Sequence, residues 1–284
     1  MIAVLGFVSA LLYGGSDFLG GLAARRMTSL VVSFVAVVVA IVVCAVTMLF
    51  VPGAWSTEAV VLGALAGIFG SIGTWAFYAC LALGPMSVLS PGVAVIYAVL
   101  PAIAGILLGE RFPPIGYVAL VAVVIAAVML SVTREGVPSK VSGRAIVLGV
   151  IAGVGFAGYI ILIDRSPEES GLVPLLADLV VGAVLYGAVL LIGRLRSGPA
   201  ELAAVRPSTG LWQAMGAGAL LVSGNILLVI GLHLGDLAVM GVLNSLYPLG
   251  TVLLALIILR ERLTVLQGIG VGLALAASVA LALV

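Results

Sequence analysis

Long apolar runs separated by short polar or breaker-rich joints dominate this chain. The runs cover approximately 2–24, 30–51, 58–82, 86–108, 114–132, 145–163, 172–193, 210–233, 238–259 and 264–284. A helix rises about 1.5 Å per residue, so about 20 residues cross about 30 Å of hydrocarbon. Each run is near that length and predicts one transmembrane helix. The joints carry Arg25-Arg26, Pro52-Gly53, Gly84-Pro85, Pro113-Pro114, Pro138, Pro167, Pro199, Pro207 and Gly235-Asp236. Proline and glycine are the residues that end helices. Lipid admits only helices or closed barrels, and these runs are too long and too evenly apolar for barrel strands. The expected fold is an all-α polytopic membrane protein of ten transmembrane helices.

Composition strengthens this picture. Of the 284 residues, 64% are hydrophobic and only 8% are charged, against about 25% charge in a soluble domain. So few charges cannot cover a soluble surface, which excludes a soluble enzyme, a nucleic-acid binder and a disordered chain. Net charge is +1, leaving no basic field for nucleic acid. The first apolar run exceeds 20 residues and lacks a basic leader or an Ala-x-Ala site, so it is expected to be a retained span. Cys44 and Cys80 both fall in apolar runs and read as small packing residues.

The few charges fix an expected orientation. One set of alternate joints holds Arg25, Arg26, Arg134, Lys140, Arg144, Arg194, Arg196, Arg206, Arg260 and Arg262, and the other only Arg111 and Arg165. The ten-charge side is expected to be cytoplasmic, with both termini outside. Glu58, Glu110, Asp164, Glu168, Glu169 and Asp236 then lie on the outer side.

The chain also repeats itself. Leu83-Gly84 opens a run that ends at Leu108-Gly109-Glu110-Arg111-Phe112, and Leu234-Gly235 opens one that ends at Leu259-Arg260-Glu261-Arg262-Leu263, a shift of 151 residues. The same shift carries Thr74 to Asn225 and Leu81 to Leu232. A shift of 143 carries Val4-Leu5-Gly6 to Val147-Leu148-Gly149 and Tyr13 to Phe156. The expected domains are a first five-helix repeat at 1–133, a linker at 134–144 and a second five-helix repeat at 145–284. Five spans is an odd number, so the halves enter the membrane from opposite sides. Such inverted repeats underlie alternating access in many secondary transporters.

The two Glu-Arg turns, "LGERF" and "LRERL", and the five-plus-five organisation resemble the drug/metabolite transporter superfamily, and its ten-span EamA-type members most closely. That resemblance covers nearly the whole chain. It implies a central cavity lined mainly by spans 1, 3, 4, 6, 8 and 9, with spans 5 and 10 peripheral. It also implies transport of metabolites, a group that ranges from amino acids to sugars and nucleotide sugars.

Other chemistry is poorly supported. No G-x-x-x-x-G-K-[ST] string occurs, and Lys140 is the only lysine. A G-x-G-x-x-G string at Gly153, Gly155 and Gly158 lies inside an apolar run and reads as helix packing. The pairs Gly63/Gly67, Gly149/Gly153 and Gly268/Gly272 read the same way. One histidine and scattered acids give no metal-ligand spacing, so neither a metal nor another cofactor is expected.

Two acids lie inside apolar runs. Asp17 sits in "YGGSDFLGG" about two turns before Arg25, with Tyr13 one turn away on the same face. A charge at that depth costs roughly 2.5–3.5 kcal/mol on insertion scales. A partner, water, a substrate cation or a proton must compensate, and a group that exchanges protons fits. Asp17 falls on Ile160 in the repeat, so it is not scaffold common to both halves. Asp178, about two turns into the seventh run, is a second candidate proton relay. Ser71, Thr74, Trp75 and Tyr78 share one expected face of the third span, and Asn244, Tyr247 and Thr251 one face of the ninth. Polar groups avoid lipid, so these faces should point inward.

The candidate substrate-binding residues are therefore Tyr13, Asp17, Trp75, Tyr78, Tyr97, Tyr159, Asn225, Asn244 and Tyr247. Asp17 and Asp178 are the candidate proton-coupling residues. Pro101 and Pro248, which interrupt related spans, are candidate flex points for gating. His233 reads as interfacial, and Glu110 and Glu261 as scaffold. The expected function is a secondary transporter, an exporter of a small organic metabolite through a bacterial cytoplasmic membrane, coupled to proton antiport at Asp17. An uncoupled carrier and a non-transporting receptor or scaffold are the alternatives. The expected partners are the bilayer, a small molecule and protons, with monomer and homodimer both open.

Overall fold

The computed structural model describes residues 2–51, 53–83, 86–109, 111, 113–131, 142–197, 209–244, 246–247, 249–250, 254 and 265–282. Helices follow the apolar runs. They are α1 (Ile2–Ala24), α2 (Ser29–Met48), α3 (Thr57–Ala82), α4 (Met86–Leu107), α5 (Pro114–Ser131), α6 (Gly143–Asp164), α7 (Val173–Ser197), α8 (Thr209–Leu234), α9 (Leu237–Asn244) and α10 (Val265–Ala282). No strand occurs among the described residues. Six helices, α1, α2, α3, α6, α7 and α8, are long and apolar enough to cross a membrane. The protein is thus an all-helical, multi-pass membrane protein. The rest of the run expected at 238–259 lies mostly outside the described residues, as do Pro248, Thr251, Glu110, Glu261 and linker residues 134–141.

Helix starts are written locally. Thr28, Ser56 and Ser142 accept hydrogen bonds from the backbone N–H of Val31, Ala59 and Ala145, capping α2, α3 and α6. The body of α2 is rich in valine, a weak helix former in water. In lipid the backbone has no water to bond, so the helix is the only way to satisfy it. Many valines and leucines on the outer surface are exposed, Val42, Val46, Val118 and Leu191 among them, as expected of side chains that meet lipid tails.

Close helix crossings hold the bundle together. α3 packs against α6 and α7, and α1 and α2 pack against α8. α2 also meets α7, α4 meets α6 and α9, and α5 meets α10. Glycines set several of these crossings. A Cβ on Gly155 of α6 would lie 2.8 Å from Gly73 Cα and from Phe69 O of α3. A Cβ on Gly153 would lie 2.7 Å from Ile96 Cβ of α4. The glycine string in α6 therefore serves helix packing. Gly63 packs against Pro174 and Gly67 against Asp178, so that pair also behaves as expected. Gly268 and Gly272 correct the expectation: a Cβ at either meets nothing within 4 Å, because both lie on the exposed face of α10.

At one end of the bundle, the loop after α2 docks on the turn before α7. Ala54 N–H donates to Glu169 O at 2.7 Å. Gly53 lets the backbone approach Ser170, and Gly171 closes the turn at φ 53°, where a side chain would be strained. Cys44 and Cys80 are buried free thiols, and Cys80 Sγ donates to Ala145 O at 3.2 Å.

Candidate functional site: a tyrosine-lined cavity with two carboxylates

A central cavity opens within the bundle. Among the described residues, α1, α2, α3, α4, α6, α7, α8, α9 and Tyr247 contribute to its wall. Ser33 and Val37 of α2 and Asp178, Leu179 and Tyr186 of α7 add to the expected set of lining spans. α2 and α7 pack against each other, and each turns one stripe toward the cavity. No described residue of α5 or α10 reaches the wall. Those helices pack on each other and form a separate apolar cluster with α9, centred on Leu120, Val242, Leu243 and Leu246.

Six of the seven tyrosines line this cavity: Tyr13, Tyr78, Tyr97, Tyr159, Tyr186 and Tyr247. Most of their hydroxyls are tied to other helices. Tyr13 donates to Asn225 Oδ1. Asn244 Nδ2 donates to Tyr97 Oη at 2.9 Å, while Ser9 Oγ lies 3.0 Å from Asn244 Oδ1 and 2.9 Å from Gly224 O. Tyr247 donates to Ser90 O at 2.9 Å and Tyr186 to Ser71 O at 2.6 Å. Ser16 Oγ donates to Ala217 O at 2.9 Å and lies 3.5 Å from Tyr78 Oη. Tyr159 Oη is buried with no hydrogen-bond partner among the described residues.

Four rings form a box in the wall. Phe77 meets Phe156 at a centroid distance of 5.6 Å and Tyr247 at 5.9 Å, both edge to face. Tyr97 completes it at 6.3 Å from Phe156 and 6.5 Å from Tyr247. Such edge-to-face pairs are a preferred aromatic geometry.

The two acids expected from the sequence both line the cavity. Asp17 is 8% exposed and Asp178 is 6% exposed. Neither carboxylate has a hydrogen-bond or ion-pair partner among the described residues, and no described Lys, Arg or His lines the wall. Asp178 Oδ1 and the ring of Tyr159 both pack over Gly70. No cluster of metal-ligating side chains occurs among the described residues.

The structure thus gathers Tyr13, Asp17, Tyr78, Tyr97, Tyr159, Asn225, Asn244, Tyr247 and Asp178 around one space. Trp75 is not among them. It is 38% exposed on the outer surface, while Phe77 is 1% exposed and faces in. Helical residues are about 100° apart, so with Thr74 at the middle of the lining face Trp75 is turned away by that angle. Pro101 is buried in α4, where it packs against Gly241 of α9 rather than lining the cavity. His233 is half-buried near the end of α8, away from the wall. Sequence reasoning missed Phe77, Phe156, Tyr186 and Ser33. Tyr186 lies two turns beyond Asp178 on the same helix, and that spacing could have flagged it.

Residues 143–283 match the EamA-like transporter family. No curated protein matches the chain in sequence. One solved crystal structure, described only as that of a protein, superposes on it with a TM-score of 0.74 and 18% sequence identity. The superposition covers 99% of this chain and 98% of the other. At that identity the likeness concerns the fold alone.

Proposed function

We propose, from the match of residues 143–283 to the EamA-like transporter family, that this chain is a membrane transporter of small molecules that exports a small organic metabolite by proton antiport. Asp17 is the site that proton and substrate share. One observation carries this reading: a buried carboxylate opens on the central cavity with no partner among the described residues. Such a charge inside a membrane needs either a proton or a cationic group beside it. Each occupant displaces the other, which is the requirement for exchange.

The mechanism needs two related halves, here two five-span repeats at 1–133 and 145–284. Packing supports that division. Exchanging α1 with α6, α2 with α7, α3 with α8, α4 with α9 and α5 with α10 maps the contact α3–α6 onto α8–α1 and α3–α7 onto α8–α2. The contacts α2–α7, α4–α9 and α5–α10 map onto themselves. Single residues follow the same rule. Gly73 meets Phe156 and Gly224 meets Tyr13, the pairs that the shifts of 151 and 143 relate. Halves that rock about a shared central site give alternating access. The excess of Lys and Arg in one set of joints supports an orientation with the ten-charge side in the cytoplasm of a bacterial cell and the termini outside.

An uncoupled carrier is the second reading, with Asp17 held as a structural carboxylate. The absence of a partner for Asp17 among the described residues favours the first. A receptor or scaffold would need no cavity at the interface of the halves. Flux in proteoliposomes separates these readings. With a panel of labelled amino acids, amines and nucleosides, an opposing proton gradient should drive accumulation at least tenfold above equilibrium, and a protonophore should collapse it. Flux that ignores the gradient supports the uncoupled carrier, and no flux across the panel supports the scaffold.

A further inference from the structure

The charge balance of the cavity points to the class of substrate. Its wall holds two carboxylates, six phenols and two phenylalanine rings, and no described basic side chain. The acids stand at different levels. Asp178 packs at Gly67 and Gly70 of α3, while Ser16 and Gly20, which flank Asp17, pack at Tyr78 of the same helix. Gly70 and Tyr78 are eight positions apart, about 12 Å along the helix axis, and the Tyr78 ring that meets Ser16 and Gly20 tilts back along α3 and shortens that separation. The ring box lies between these levels, because Phe156 packs on Gly73 and Phe77 belongs to the box. Aromatic faces carry negative potential and attract cations.

Asp178 stands at a helix crossing whose counterpart in the other half carries alanine. Gly67 lets α3 cross α7 at Asp178, with a Cβ lying 2.6 Å from Asp178 O and 2.9 Å from Asp178 Cα. Gly218, which the shift of 151 relates to Gly67, lets α8 cross α2 at Ala36, with a Cβ lying 2.7 Å from Ala36 Cα. Alanine suffices at one crossing, so the carboxylate at the other serves something besides packing.

We propose that the substrate is a protonated organic amine with an apolar body. Its ammonium group pairs with Asp17 or Asp178, one at each end of the box, and its body lies against Phe77, Tyr97, Phe156 and Tyr247. This assignment deepens the transporter reading and rests on it for the direction of movement, not for binding. Carboxylate and phosphate substrates meet repulsion with no compensating Arg or Lys. Zwitterionic amino acids bring a carboxylate that nothing on the described wall neutralises.

Titration calorimetry on the purified full chain tests this. The probes are phenethylamine and hexylamine, each against the corresponding alcohol, with phenylacetate as the anion. Each amine should bind at least tenfold more tightly than its alcohol, and phenylacetate should not bind measurably. Asp178→Asn should weaken amine binding about tenfold and leave alcohol binding unchanged, which a general packing defect would not do. If that variant does not fold, the wild-type series still decides. Alcohol or phenylacetate binding as tight as the amine, equal weakening of amine and alcohol in the variant, or no amine binding at all overturns the proposal. Amine binding without amine flux leaves the assignment standing and contradicts the transporter mechanism. Flux that is driven by the proton gradient but shows no amine preference does the reverse.

Discussion

Asp17→Asn abolishes gradient-driven accumulation and leaves passive exchange. Asparagine has nearly the same shape as aspartate but cannot take up or release a proton. In proteoliposomes, accumulation against a substrate gradient should fall at least 100-fold, while exchange of labelled for unlabelled substrate persists at raised substrate concentration. The fold should tolerate the change. Asp17 has no ion-pair partner among the described residues to strand, and breaking a buried pair is what makes such substitutions destructive. Removing an uncompensated charge from an apolar bundle should leave thermal stability unchanged or raise it. Unaltered accumulation in Asp17→Asn would show that the carboxylate is structural.

Gly218→Leu should have the largest effect on stability. A Cβ at this position collides with the backbone of Ala36, Cα and carbonyl alike. Backbone cannot swing aside as a flexible side chain can, so α8 and α2 must separate. Overpacking a tight core costs about 1–3 kcal/mol. At about 2–4 °C per kcal/mol for chains near this size, the melting temperature in detergent should drop by about 5–10 °C. Gly268→Leu is the control. A Cβ there meets nothing within 4 Å on an exposed helix face, so its melting temperature should stay within about 2 °C of wild type. Equal losses in the two variants would mean that helix propensity, not the crossing, sets the cost.

The contrast between these glycines shows where sequence reading stops. Gly63/Gly67 and Gly268/Gly272 have the same spacing, yet only the first pair meets another helix. Lipid tails are as apolar as a helix interface, so composition cannot say which face is which. Trp75 and Phe77 make the same point. Both are aromatic and two residues apart, and the one with the polar handle faces outward. Ser71, Thr74, Tyr78, Asn225, Asn244 and Tyr247 were legible because a polar group in a span has a strong reason to face inward. Phe77 and Phe156 give no such signal and reveal themselves only through their ring contacts. The two acids were the clearest of all, since a carboxylate in an apolar run stands out in sequence as it does in the cavity. What the sequence could not show is their placement at different levels along α3, which depends on how α1 and α7 cross it.

The central claim is that proton and substrate compete for Asp17, and proton release on binding measures this directly. Purified protein in weakly buffered detergent solution is mixed with saturating phenethylamine, and the pH is followed with an indicator dye. Wild type should release protons in step with binding, and Asp17→Asn should bind, if more weakly, with no release from that site. Binding by wild type with no proton release, or equal release from Asp17→Asn, would contradict the account.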